Sequence, residues 1–307
     1  MANDIKLLMI SAMYENGGNT THRFLDGHPR MLVYPFESQL GTRLVQDPLT
    51  SLFPVKYRWP QFQLGASPID DYRAFIDEEC RIRARTPHVS KFRHVDFDFS
   101  DDERGEYYAR YVKSTGQTRG DNVAAFFRST FDAWKDYNRS GHEDWYVGYS
   151  PIVVVDAEMI LTDLPNAHVL HVVRNPWSAY ADTKRRAVPM SLASYVFAWT
   201  VNQYFALTLK KRFPDRLHII RTEDVMANSR ATLAAFLDEL GVDDSPSLDL
   251  PSWNGKPLDE VYPWGTIRTA TTAANRATAL ELSDDERAEV RLRAEPYLAS
   301  FGYDSFL

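Results

Sequence analysis

An α/β fold, a parallel sheet flanked by helices, is what the sequence predicts, and three observations lead to it. Short β-like runs alternate with helical patterns along the chain, the order that parallel strands with helical crossovers require. The first run, "IKLLMIS" (5–11), passes through the glycines and hydroxyls of "YENGGNTTHRFLDGHP" (14–29) into a helical pattern. The chain has 307 residues, 44% hydrophobic and 25% charged, enough to bury one large core. A single domain over 1–307 is the expectation.

The elements follow in order. "IKLLMIS" reads as the first strand, with a helix beginning near Thr20, and "MLVY" (31–34) as the second strand. From about 46 to 119 prolines, aromatics and charges mix without a sustained period, as in an irregular insertion over the substrate side of a sheet. "WYVGY" (145–149), "HVLHVV" (168–173) and "LHII" (217–220) complete the strands. Asn175 followed by Pro176 is an N-cap with proline at the first helical position. "SLASYVFAWTVNQYFALTLKKRF" (191–213) is a core helix ending in Lys210, Lys211 and Arg212, the charge sign a helix C-terminus favours. "SRATLAAFLDELG" stops at Gly241, a C′ residue, and "SDDERAEVRLRAEPYL" opens with Ser283 and Glu286 in capping-box spacing.

Several classes of function are disfavoured by composition. A net charge of -7 gives no general attraction to nucleic acid or to an anionic membrane. Cys80 is the only cysteine, so neither a disulfide framework nor a zinc–cysteine cluster is available, and a buried small hydrophobe is the reading preferred for it. The first ten residues lack a secretory pattern, and the most apolar later segment is interrupted by Asn202 and Gln203. A soluble, cytoplasmic protein is expected.

Two stretches have the chemistry of anion sites. In the turn at 14–29, backbone N–H groups at a helix N-terminus suit a phosphate, yet the lysine of a G-x-x-x-x-G-K-[ST] loop is missing and Glu15 is an acid. That absence disfavours a nucleotide kinase. In "HVLHVVRNPWSAYADTKRR", Arg174 projects at a strand end beside a second helix N-terminus. The pair suits a phosphate monoester, and a structural salt bridge for Arg174 is the alternative.

These pieces resemble, in order, the sulfotransferases that use 3′-phosphoadenosine 5′-phosphosulfate. The resemblance runs through "NGGNTT" (16–21), "LDGHP" (25–29) with "PFE" (35–37), "HVVRNP" (171–176), "RTEDV" (221–225) and "LSDDERAEVR" (282–291). It implies a P-loop-kinase-like sulfotransferase fold, that phosphosulfate as co-substrate without a metal, and a small-molecule hydroxyl acceptor such as a sugar or a specialised metabolite. On this reading Gly17, Gly18, Asn19, Thr20 and Thr21 hold the 5′-phosphosulfate and Arg174 takes the 3′-phosphate. Asp182 falls where the family has a serine, with Ser178 or Thr183 as substitutes for that hydroxyl. Arg268, in "VYPWGTIRTATTAANR" (261–276), falls in a loop that closes over the nucleotide. Glu37 is the catalytic base that the resemblance implies, with pairing to Arg43 as its structural alternative, and His22 is the second candidate base. The first loop departs from the family in having Asn16 or Gly17 where a basic residue is usual. A sulfotransferase-like protein with altered chemistry, or a nucleotide binder without catalysis, is therefore the rival reading.

Other stretches point to less. His94, Asp96 and Asp98 alternate in "HVDFDF" (94–99), a pattern more often a solvated edge than a metal site. "RIRARTPHVSKFRH" (81–94) is locally basic, as wet helix faces usually are. Trp59, Phe62, Tyr107 and Tyr108 suit an acceptor pocket, although core packing explains aromatics more often.

Overall fold

All five expected strands form. In the computed structural model, which describes residues 4–258 and 271–307, they are β1 (Lys6–Ser11), β2 (Met31–Val33), β3 (Trp145–Ser150), β4 (Ala167–Val173) and β5 (Leu217–Arg221). They make one sheet in the order β2-β3-β1-β4-β5, and every neighbouring pair is parallel. A separate two-stranded piece joins β6 (Ser252–Trp253) to β7 (Lys256–Pro257).

Successive residues of the central strand face opposite ways, and both faces are covered. Leu7 and Met9 pack into one cluster with Val169 of β4, while Leu8 and Ile10 pack into another with Leu170 and Val172. This explains why β1 reads as a continuous apolar run rather than an alternating one. The helices doing the covering, in chain order, are α1 (Gly18–Leu25), α2 (Pro68–Ala74), α3 (Glu78–Arg85), α4 (Asp101–Thr115), α5 (Arg119–Ala133) and α6 (Ala157–Asp163). They continue with α7 (Pro176–Lys184), α8 (Leu192–Arg212), α9 (Thr222–Ala227), α10 (Ser229–Glu239), α11 (Thr272–Ala279) and α12 (Asp284–Leu298). Helices α5, α8 and α12 supply the first cluster, with Phe127, Trp199 and Leu298 among its members. Helices α1 and α10 supply the second, through Phe24, Leu25, Leu233 and Leu237. Each such side chain removed from water stabilises the fold by about 1.5–3 kcal/mol.

The caps follow the residues that announce them. Asn175 accepts from the Ser178 amide, with Pro176 at the first position of α7. Ser283 and Glu286 complete the capping box of α12, and Gly241 follows α10 in the left-handed region at φ 68°. Asn202 and Gln203, which interrupt the apolar run of α8, are buried: Gln203 Oε1 meets His171 Nε2 of β4 at 2.9 Å, and Asn202 Nδ2 donates to the Ala198 carbonyl at 2.8 Å. No described helix is long and apolar enough to cross a membrane.

The segment 46–119 differs from the irregular insertion expected. It holds α2, α3 and α4, and it is tied down by scattered apolar side chains, Tyr72, Phe75 and Val112 among them, together with buried ion pairs. Arg58 meets Asp156 at 2.7 Å and Arg104 meets Asp77 at 2.7 Å, all four side chains being buried. A third apolar cluster lies here, where Cys80 is buried with Leu32, Phe36, Phe92 and Trp253. Trp59 and Tyr108 belong to the main core. Arg81 and Arg83 are not a wet face: they donate to the carbonyls of Tyr72, Phe75, Phe92 and Val95. The run 94–99 makes only an isolated bridge from Phe99 to Trp134. Asp96 pairs with Lys256 at 3.1 Å, and no group of three or more His, Cys, Asp or Glu suited to a metal occurs among the described residues.

Candidate active site at the carboxyl ends of the strands

The turn after β1 is a tight one. Glu15 and Gly17 both adopt the left-handed region, at φ 61° and 83°, and α1 starts at Gly18, two residues before the expected Thr20. Gly17 is required twice over, because a Cβ there would also stand 2.6 Å from Thr222 Oγ1. Gly18 lets α1 approach β3, since a Cβ there would lie 2.3 Å from Tyr149 Cε2 and 2.7 Å from Ala12 Cβ. No side chain caps α1 and its first turn contains no acid. The amides of Gly18, Asn19 and Thr20 occupy the first three helical positions, whose N–H groups have no intrahelical acceptor, and the helix dipole adds positive charge there. Thr21 lies further in than the sequence implied: its amide and its hydroxyl both go to the Gly17 carbonyl, at 2.9 and 3.1 Å.

Glu37 approaches this turn from beyond β2. The chain continues along β3 after Val33, with the Tyr34 amide on the Val147 carbonyl at 2.8 Å and the Ser38 amide on the Tyr149 carbonyl at 2.6 Å. That leaves Glu37 half-buried, with its carboxylate interacting with the Tyr57 hydroxyl. The Glu37 amide donates to Glu79 Oε2 at 3.3 Å, and Lys91 holds the other oxygen of Glu79. Burial and then the charge of Glu37 push the Glu79 carboxyl up to about 7. The same two causes, in the same order, push Tyr14 up to about 12. Tyr149 links the halves of the site, with its ring against Gly18 and its phenol raised by burial and by Glu37 and Glu15.

His22 is not placed to serve as a base. It is 1% exposed, its Nδ1 is 2.8 Å from Arg23 Nη2, and its ring stacks at a tilt on Tyr149. Burial and the Arg23 charge hold its pKa well below the usual imidazole range, so it remains neutral in the core. Arg23, next to it in the second turn of α1, is buried as well, and its Nη2 donates to the Tyr34 carbonyl at 2.9 Å.

The end of β4 carries a fully connected polar network. Asn16, buried, accepts from the Arg174 amide at 2.9 Å and donates to the Tyr195 hydroxyl at 3.1 Å. Arg174 pairs with Asp182 at 2.8 Å and donates to Asn275 Oδ1. Glu223, of the "RTEDV" stretch, accepts from the Asn175 amide at 3.0 Å, and the Thr222 hydroxyl donates to the Asn16 carbonyl. Arg186 comes from the end of α7 to the turn after β1, with its guanidinium 5.1 Å from the Tyr14 ring centroid and its Nε 3.9 Å from Glu15 Oε1. It supplies positive charge beside a turn that has none of its own. The sequence marked Asn16, Glu223 and Arg186 only as members of motifs or charge runs. Glu79, Tyr57 and Asn275 carried no local signal, because their roles come from distant neighbours. Arg268 lies outside the described residues.

A parallel sheet in this order, with an uncapped helix N-terminus after its central strand, defines an α/β protein whose strand ends offer free N–H groups of the kind that suit an anionic group. Residues 19–246 match the profile of the sulfotransferase family. The chain belongs to that family and is a transferase. No curated protein matches it in sequence. Among solved structures, the sulfotransferase domain of the Synechococcus PCC 7002 olefin synthase is similar over 95% of this chain and 93% of its own, at 18% identity and a TM-score of 0.53. A sulfotransferase domain from the curacin biosynthetic pathway is similar over 97% and 98%, at 13% identity and a TM-score of 0.52. These likenesses establish the fold.

Proposed function

We propose that this chain moves a sulfuryl group from 3′-phosphoadenosine 5′-phosphosulfate to a hydroxyl of a small molecule, a sugar or a specialised metabolite. The observation that carries the reading is the uncapped N-terminus of α1 together with the half-buried Glu37, the Tyr149 ring lying against the start of the helix and its phenol feeling the charge of Glu37. The amides of Gly18, Asn19 and Thr20 hold the anionic oxygens of the phosphosulfate, and Arg186 adds charge from the side. Glu37 takes the proton of the acceptor hydroxyl as its oxygen attacks sulfur in line. Tyr57, within reach of Glu37, orients that carboxylate. Catalysis of this kind depends on position and charge, and donors fixed on a helix end need no reorganisation as charge develops.

The experiment is transfer of label. Donor labelled in its sulfuryl group is incubated with the protein and with panels of sugars and hydroxylated metabolites. Label on an acceptor supports the reading. Tight nucleotide binding without transfer to any hydroxyl would leave a binding protein of the same fold.

A further inference from the structure

The second anion place, at the end of β4, is already filled by the protein's own carboxylates. Arg174 Nη1 donates to Asp182 Oδ2 at 2.8 Å, and Arg185 Nη1 takes the other oxygen of that carboxylate at 3.0 Å. The rest of the Arg174 fork goes to Asn275 Oδ1, at 3.0 Å from Nε and 2.9 Å from Nη2, and to the Glu15 carbonyl at 2.9 Å. The N-terminus of α7 is occupied too. The Asn175 amide goes to Glu223 Oε1 at 3.0 Å and the Ser178 amide to Asn175 Oδ1 at 2.9 Å, while Tyr303 donates to Glu223 Oε2 at 2.6 Å. Neither hydroxyl that was a substitute for the family's serine is available: Ser178 donates to the Asn275 carbonyl at 2.7 Å, and Thr183 to the Ala179 carbonyl at 2.8 Å, with both side chains buried.

Charge sharpens the contrast with α1. Among the described residues at the end of β4, Asp182 engages both Arg174 and Arg185, Glu281 takes the other end of Arg185, and Glu223 sits on the start of α7, so these arginines are already answered by carboxylates. A phosphate arriving there has to displace Asp182 from Arg174 and then stand beside these acids, where like charges repel in a medium less polar than water. At α1 no acid lies in the first turn and no side chain caps the helix, and the acid of the preceding turn, Glu15, has Arg186 at 3.9 Å.

From this contrast we propose that the nucleotide donor is held by its 5′-phosphosulfate end alone, with Asp182 standing where a second phosphate would sit. A donor without a 3′-phosphate, adenosine 5′-phosphosulfate, is then accepted about as readily as one with it. The inference rests on the reading above that the α1 end of the site takes a nucleotide phosphosulfate. The chemistry balances in the same way for both donors. The bond from sulfur to the bridging oxygen of the 5′-phosphate breaks as the bond from sulfur to the acceptor oxygen forms, and the acceptor proton goes to Glu37. Adenosine 5′-phosphate leaves in the one case and the 3′,5′-bisphosphate in the other.

Calorimetry on the whole protein with adenosine 5′-phosphate and adenosine 3′,5′-bisphosphate tests it. The wild type should bind the two within about fivefold of each other, where a working charge-assisted contact to the 3′-phosphate would give about ten- to a hundredfold. Asp182→Ser and Asp182→Asn each free the Arg174 fork, and each should raise the preference for the bisphosphate by about tenfold or more. A wild-type preference beyond about fivefold overturns the inference and leaves the nucleotide site standing. Binding of neither nucleotide overturns that reading and the inference with it. A balanced wild type whose folded variants show no gain for the bisphosphate removes Asp182 from the explanation and so overturns the inference as stated.

Discussion

Asn16 and Arg174 stand 158 positions apart in the chain and are joined by a 2.9 Å hydrogen bond from the Arg174 amide to Asn16 Oδ1. With its Nδ2 on the Tyr14 carbonyl at 2.9 Å and the Tyr195 hydroxyl at 3.1 Å, Asn16 ties the turn after β1 to β4 and α8. Asn16→Ala leaves buried polar groups without their partner, so stability in urea should fall by about 1–3 kcal/mol. Affinity for adenosine 5′-phosphate should fall with it, because the turn loses its anchor. An unchanged denaturation midpoint would show that the network is not what holds the turn.

Gly18→Ala tests whether α1 must lie against Tyr149. The added Cβ meets the ring at 2.3 Å, an overpacking that costs about 1–3 kcal/mol. Nucleotide affinity should drop as the helix end is displaced. Combining Gly18→Ala with Tyr149→Leu should recover part of both losses, the coupling expected of two groups in contact. Additive losses in the double variant would place the strain elsewhere.

Glu37→Gln keeps the shape of the side chain and removes its basicity. Turnover in the label-transfer assay should fall by about 10²–10⁴, the usual contribution of a general base, while nucleotide affinity holds. Joint loss of affinity and turnover would make Glu37 a structural residue.

Glu79 offers a prediction in pH. Burial raises its carboxyl from the ordinary 4.5 to about 7, so across that window the folded state keeps a proton that the unfolded state releases. The stability tied to this proton is fully present below pH 4.5 and is lost as the pH rises through about 7. Glu79→Gln has no such loss, so it should gain on the wild type over the same range by an amount on the order of a few kcal/mol. Urea denaturation at a series of pH values measures it, and a stability difference that does not vary with pH would mean that Glu79 is charged throughout.

Local signals determined a large part of this protein. The five strands, the Asn175–Pro176 start of α7, the Ser283–Glu286 box of α12 and the Gly241 stop of α10 were legible because each depends on residues within one or two turns of itself. The passage from β1 through a glycine turn into α1 was legible for the same reason. Helices α2 to α4 were not, because no sustained apolar period marks them: they are held by scattered apolar side chains such as Tyr72, Tyr108 and Val112 and by the buried pair Arg104–Asp77, and a charge in a sequence does not say that it will be buried opposite another. Tertiary structure alone turned His22 inward, joined Glu79 to Glu37 and brought Arg186 to Glu15. Asp182 is the clearest case: by sequence it is an acid eight positions beyond Arg174, and only the packing of α7 and α11 at the end of β4 makes its carboxylate the partner of that arginine. Hydrogen bonds and ion pairs act over a few ångströms, so what they do is decided by whichever distant groups the fold brings within that reach.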